Sequence, residues 1–262
     1  MKFKKRYITI FVPALAILAI AGAFAAIPGL RGRFINEESK PLSPVASNKN
    51  PDKKAIAIVH ELIQVVKGLD SLTTLSFKGS MSVNDLADST NNLVTDFEYT
   101  RQGTLGYYKM GDNETLSARD VYLVVVHSAK KIFLSEPVKM ENPMKVQLPK
   151  ESELLEEEGY KVSRSVKDSL IEISLVNSTH ATCREYSILF DGSGGIHHVR
   201  MRLADANAMS NSAKDKKIEI NIDNWQVGVV RQELLRTDRY ISAKNGEPKP
   251  VGALQDYEII KD

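Results

Sequence analysis

Ser128 and Lys131 stand at the Ser-x-x-Lys spacing with which a lysine activates a serine nucleophile, provided both sit on a helix. Here Ser128-Ala129-Lys130 separates two apolar segments, so the spacing predicts a hairpin turn, and neither Ser-Asp-Asn nor Lys-Thr-Gly accompanies it. Five histidines are present. His197 and His198 are neighbours in an extended segment, where adjacent side chains face opposite ways and cannot share a metal. His60, His127 and His180 have no cysteine or carboxylate at ligand spacing, so no metal site is expected. Asp191-Gly192-Ser193-Gly194-Gly195 lacks the spaced oxygens of a calcium loop, and no helix comes after it to hold a phosphate, so it reads as a turn. The single cysteine, Cys183, lies in an apolar segment and reads as a small buried hydrophobe. No catalytic set emerges, and no cofactor is implied.

The elements that would position any site begin with an export pattern. Lys2, Lys4, Lys5 and Arg6 precede an almost unbroken apolar run, residues 8–30, and basic residues stay on the cytoplasmic side, so the remainder of the chain faces outward. The run fits a retained anchor by its length and a cleaved signal by the small-x-small sequence Ala23-Phe24-Ala25. Residues 1–35 are thus a signal peptide or signal anchor, residues 36–52 a polar linker without periodicity, and residues 53–262 a single domain. The net charge of +2 over 262 residues, with no block of Lys or Arg beyond the signal, argues against nucleic acid as a partner. One thiol excludes an intramolecular disulfide, so stability outside the cytoplasm must come from packing.

Ile58, Val59, Leu62, Ile63, Val66 and Leu69 recur at three- and four-residue steps after Pro51 and Asp52, which predicts an amphipathic helix ending near Gly68. Period-2 alternation takes over after it. Leu75, Phe77, Met81 and Val83 alternate with polar residues, as do Phe97 and Tyr99, and residues 103–110 form a tyrosine-rich strand closed by Gly111-Asp112-Asn113. Residues 121–127 and 131–136 pair as a hairpin. Pro149 opens a second helix over residues 151–158, expected on the surface with Leu154 and Leu155 as its only apolar contacts. Residues 170–176, 183–190 and 196–203 are strands, the last two a hairpin across the glycine-rich turn. A polar excursion, residues 207–216, precedes the one-sided strand of Ile218, Ile220 and Ile222, and residues 257–260 end the series. The expectation is roughly nine antiparallel strands with helices at the start and middle.

This order resembles the LolA-like superfamily of periplasmic lipoprotein carriers and their relatives in bacterial envelopes. The pieces that carry the likeness are the helix leading into Leu75-Ser-Phe77-Lys-Gly79, the Gly103-Thr-Leu105 strand, the Tyr122-to-Lys131 hairpin, the Tyr186-to-Val199 hairpin with Ser-Ile-Leu-Phe-Asp-Gly, and Tyr257-Glu-Ile-Ile. The resemblance implies an α+β, mainly antiparallel fold: a strongly curved, unclosed sheet, or half-barrel, with helices on its concave side and an apolar cavity for acyl chains. Leu75, Phe77, Met81, Phe97, Tyr99, Leu105, Ile188, Phe190, Met201, Leu203, Ile220 and Ile222 would line that cavity or form an ordinary packed core. The implied function is periplasmic binding of acyl chains or lipidated protein without catalysis, with the N-terminal segment meeting the inner membrane. The alternative is a membrane-anchored structural or adaptor protein with a packed core, binding an envelope protein through its edge strands or residues 207–216.

Overall fold

The computed structural model describes residues 52–140, 149–244 and 247–261. The signal, linker and Ala23-Phe24-Ala25 readings lie outside them. Among the described residues no helix is long and apolar enough to cross a membrane.

Helix α1 spans Lys53–Ser71. Asp52 caps it, its carboxylate accepting from the Lys54 amide at 3.1 Å and its carbonyl from the Ile56 amide at 3.1 Å. All six periodic apolar residues, Ile58 to Leu69, are buried. Gly68 lies inside the last turn, where its carbonyl accepts from the Ser71 hydroxyl at 2.7 Å.

Fourteen strands come after α1 among the described residues: β1 (Thr74–Asp85), β2 (Leu93–Gln102), β3 (Leu105–Met110), β4 (Asn113–Ser117), β5 (Tyr122–Val126), β6 (Lys131–Ser135), β7 (Lys161–Lys167), β8 (Leu170–Val176), β9 (Cys183–Phe190), β10 (Ile196–Leu203), β11 (Lys216–Val227), β12 (Ile241–Lys244), β13 (Glu247–Pro250) and β14 (Glu258–Lys261). Twelve join one unclosed sheet in the order β14-β6-β5-β4-β3-β2-β1-β11-β10-β9-β8-β7, and β12 pairs with β13 alone. The fold is mainly antiparallel β with few helices.

The structure corrects the strand count and adds detail to two other expectations. Roughly nine strands become fourteen, because β4 starts inside the Gly111-Asp112-Asn113 turn, β7 is a polar strand at the end of the order, and β12 and β13 are four-residue strands, the latter proline-bearing. The sheet is mainly antiparallel, as expected, with one parallel pair in which β14 runs along β6, Ile259 opposite Ile132. The second helix forms over residues 151–157, its Glu153–Glu157 part π-type, and Leu154 and Leu155 are its only buried residues, as expected.

The described residues divide into two compact units. One contains residues 52–71, 83–92 and 149–219. Its β8, β9 and β10 share one buried face, with Ile173 opposite Ile188, Ile188 opposite Val199, and Tyr186 opposite Met201. Arg164 of β7 grips Glu61 of α1 through two hydrogen bonds, 2.8 and 3.1 Å. The polar excursion is pinned rather than loose. Asp215, fully buried, lies 2.6 Å from Arg202 and 3.5 Å from Arg184, whose guanidinium also donates to the Met209 carbonyl.

The other unit contains residues 72–82, 93–140, 220–244 and 247–261. Cross-strand partners in an antiparallel ladder share a face, so the register of β2 to β6 sorts every side chain. One face carries Tyr107, Leu116, Leu123, Val125, Ile132 and Leu134, and this unit's own C-terminal part covers it with Leu234, Leu235, Tyr240 and Leu254. Gly79 of β1 is where two strands approach too closely for any side chain, since a Cβ there would stand 1.9 Å from the Asn221 carbonyl oxygen.

Candidate functional site

The opposite face of β2 to β6 is the candidate site. Phe97 stands opposite Met110, Tyr99 opposite Tyr108, and Arg101 opposite Gly106. The Tyr99–Tyr108 pair continues through Thr115 and Val124 to Phe133, one cross-strand row over five strands. Its burial falls along the way. Phe97, Tyr99 and Met110 are buried, Tyr108 and Val124 half-buried, and Phe133 is 37% exposed. Phe77 of β1 joins the buried end, with its ring 4.9 Å from Tyr99, 6.0 Å edge-on from Phe97 and 5.4 Å from Trp225, on which it stacks. Offset and edge contacts of this kind add to the burial of the rings. Such a face can hold apolar groups by exclusion of water.

The twelve sequence-selected residues fall into three sets. Leu75, Phe77, Met81, Phe97 and Tyr99 are buried in this unit, with Phe77, Phe97 and Tyr99 in ring contact; Ile220 and Ile222 of β11 are buried in the same unit. Leu105 lies elsewhere. Its partner is Gln102, so it occupies the opposite face and packs against the Tyr107–Leu116 cluster. Ile188, Phe190, Met201 and Leu203 belong to the other unit, the first three buried and Leu203 half-buried opposite Cys183. Sequence reasoning missed Trp225, Tyr108, Met110, Val124, Phe133 and Arg101. Arg101 had a signal, being the next same-face residue after Phe97 and Tyr99. Tyr108 had none, because β3 is apolar on both faces.

A separate polar cluster lies on the covered face of the same unit. Glu114 accepts from the hydroxyls of Tyr107 at 3.1 Å and Tyr240 at 2.5 Å, and His127 Nε2 lies 3.1 Å from it. Pairing with a carboxylate makes Nε2 the donor, and Nδ1 lies 2.9 Å from the Tyr257 hydroxyl. Desolvation pushes the Glu114 carboxyl up, but the hydrogen bonds from Tyr240, His127 and Tyr107 outweigh it and hold the group below the usual carboxylate range. Arg239 lies over the rings of Tyr107 and Tyr240, 5.8 and 5.1 Å from their centroids. The same bonds that hold Glu114 occupy its lone pairs, so the cluster fastens the C-terminal part to β3–β5.

The remaining chemistry-bearing residues are also engaged structurally. His60, His180 and His197 pair with Glu151, Glu158 and Asp191 at 2.9, 2.6 and 3.0 Å. Asp191 also accepts from the Ser193 and Gly195 amides, which makes the glycine-rich segment a side-chain-locked turn. Ser128 sits in a 3-10 turn, His127–Ala129, with Lys130 left-handed at φ 51°, while Lys131 opens β6 and faces Glu258 at 3.6 Å. Burial pushes the Cys183 thiol up to about 12, and its Sγ donates to the Glu185 carbonyl. Among the described residues no three His, Cys, Asp or Glu side chains converge as metal ligands. A hollow of about 80 Å³ lined by Ser76, Lys78, Glu98, Asn224, Gln226 and Arg231, with Phe77 and Tyr99, is mostly polar and well below the roughly 300–1,000 Å³ of ordinary ligand pockets.

No protein-family model matches this chain. None of the curated proteins matches it. Solved structures to which it is similar include an uncharacterized conserved protein from Thermus thermophilus, at 8% identity and TM-score 0.39, covering 78% of this chain and 99% of that one. LprF from Mycobacterium bovis aligns at 13% identity and TM-score 0.29 over 69% of this chain and 96% of its own. A LolA superfamily protein from Nitrosomonas europaea is also among these similar structures, at 9% identity and TM-score 0.31 over 70% of this chain and 98% of that one.

Proposed function

We propose that residues 53–262 form one extracytoplasmic, periplasmic domain that binds acyl chains or lipidated protein on an apolar sheet face and carries out no catalysis. The N-terminal run tethers it to the inner membrane or is removed on export. The observation that carries the reading is the aromatic row, where buried Phe77, Phe97 and Tyr99 form a ring cluster with half-buried Trp225 and the same face opens through Tyr108 and Val124 to exposed Phe133. Each methylene withdrawn from water onto such a face contributes about 0.8 kcal/mol, so a chain can be held with no reactive group. The resemblance of the element order to LolA-like carriers points the same way.

A second reading is favoured by the burial of Leu75, Phe77, Met81, Phe97 and Tyr99 themselves, which suits an anchored envelope adaptor with a filled core. Purification under native conditions, solvent extraction and lipid mass spectrometry beside a mock control separate the two. Stoichiometric lipid, lost in a folded Phe77→Asp variant, supports the lipid-binding reading. Lipid retained unchanged by folded Phe77→Asp sinks the assignment of the site, and absence of lipid together with no fatty-acid uptake favours the adaptor.

A further inference from the structure

The series Phe97, Tyr99, Arg101 ends on a cation. Arg101 shares the candidate face, standing opposite Gly106, and it is only 7% exposed. Its Nη2 donates to the Leu72 carbonyl, while among the described residues its Nε has no hydrogen-bond partner and no carboxylate pairs with it. The other buried arginine, Arg184, has the Asp215 carboxylate at 3.5 Å. A guanidinium withdrawn from water without a counter-charge is unfavourable unless its remaining donors find an acceptor. Five N–H groups in a planar fork match a carboxylate or phosphate oxygen pair. The ground beside it can also give way. Met140 lies over Gly106, with Cβ and Sδ each 3.1 Å from where a glycine Cβ would stand, and an unbranched thioether repacks easily.

We propose that Arg101 receives the anionic headgroup, a carboxylate or a phosphate monoester, of an amphiphile whose acyl chain lies along Tyr99, Phe97 and Phe77. This rests on the lipid-binding reading and narrows it to anionic ligands. Strand geometry sets the scale, since about 3.3 Å per residue puts Phe97 roughly 13 Å from Arg101, a span for an extended chain.

The lone tryptophan, Trp225, stacked on Phe77, supplies the signal. The full chain, in a nonionic fluorinated surfactant that does not mimic acyl chains, is titrated with dodecanoate, dodecyl phosphate, dodecanol, dodecyltrimethylammonium and inorganic phosphate. Expected are at least roughly tenfold tighter binding of the two anionic amphiphiles than of dodecanol, as charge-assisted hydrogen bonds supply, and the weakest binding for the cation. Arg101→Gln brings the anion-to-alcohol ratio near one. Equal binding of all amphiphiles by the wild type overturns the headgroup assignment while the lipid-binding reading stands. Inorganic phosphate binding as tightly as dodecyl phosphate overturns it too, making Arg101 a site for a small free anion. No binding of any amphiphile, dodecanol included, sinks the underlying reading as well. Should Arg101→Gln not fold, the wild-type ranking of headgroups decides alone.

Discussion

Replacing Glu114 by alanine tests whether one carboxylate fastens the C-terminal part of its unit to the sheet. The side chain is 13% exposed and receives hydrogen bonds from Tyr107, Tyr240 and His127, with an Arg239 nitrogen 4.0 Å away. Hydrogen bonds to a charged group are worth about 1.5–3 kcal/mol each, but three donors sharing one acceptor do not add, so the expected loss is about 3–5 kcal/mol. At about 2–4 °C per kcal/mol for a domain of this size, the Tm should fall by roughly 10 °C. Acid dependence gives an independent readout. The folded carboxyl lies below its unfolded value, so its stabilisation is complete above the unfolded range, about 4.3, and is lost as pH falls through the folded pKa. Urea unfolding of wild type and of the charge-free Glu114→Gln between pH 7 and pH 3 should therefore converge toward acid. A loss for Glu114→Ala below about 1 kcal/mol, or parallel acid limbs in the two proteins, would refute the fastening role.

Other positions give sharper geometric tests. Gly79→Ala should cost about 3 kcal/mol in urea unfolding, because its Cβ would meet a backbone oxygen at 1.9 Å that no side-chain rotation can clear; a neutral result would mean the strands are further apart. Asp215→Asn, which strips the charge from between Arg184 and Arg202, should cost about 3–5 kcal/mol and speed amide exchange over residues 205–214, and unchanged exchange there would show that the excursion is held by other contacts. Cys183, with its thiol pushed up to about 12, should react with iodoacetamide in the native state at least on the order of a hundredfold slower than in urea, read by intact mass; comparable rates would contradict its burial.

Local spacing made much of the fold legible. The three- and four-residue steps of α1 matched its buried stripe, and the turns at Ser128–Lys130 and Asp191–Gly195 fell where glycine, a left-handed lysine and a side-chain cap are needed. Strands whose residues do not alternate escaped notice. β7 reads Lys-Val-Ser-Arg-Ser-Val-Lys and is almost wholly exposed, so it has no dry face to advertise it; β14 was legible as the last strand, but not its parallel pairing with a strand more than a hundred residues earlier. The Glu114 cluster was equally silent, since Tyr240 is 126 residues from its carboxylate and only the folded chain brings them together.

The site turned on parity, which sequence supplies within a strand but not between strands. Phe97, Tyr99 and Arg101 could be placed on one face by counting twos, whereas Leu105 and Tyr108 sit three residues apart in a strand apolar on both sides, and the count alone cannot say which joins Tyr99. Register decides it. Tyr99 stands opposite Tyr108, so Tyr108 faces the aromatic row and Leu105 turns into the covered core beside Tyr107 and Leu116. Two single substitutions make the consequence measurable. Leu105→Ala should destabilise the unit by about 2 kcal/mol yet leave amphiphile binding intact, while Tyr108→Ala should weaken binding in protein that remains folded, because of the two only Tyr108 borders the open end of the row. The reverse pattern, with binding lost on changing Leu105 and kept on changing Tyr108, would place the binding face on the side that the C-terminal part covers, and would overturn both the row and the headgroup position read from it.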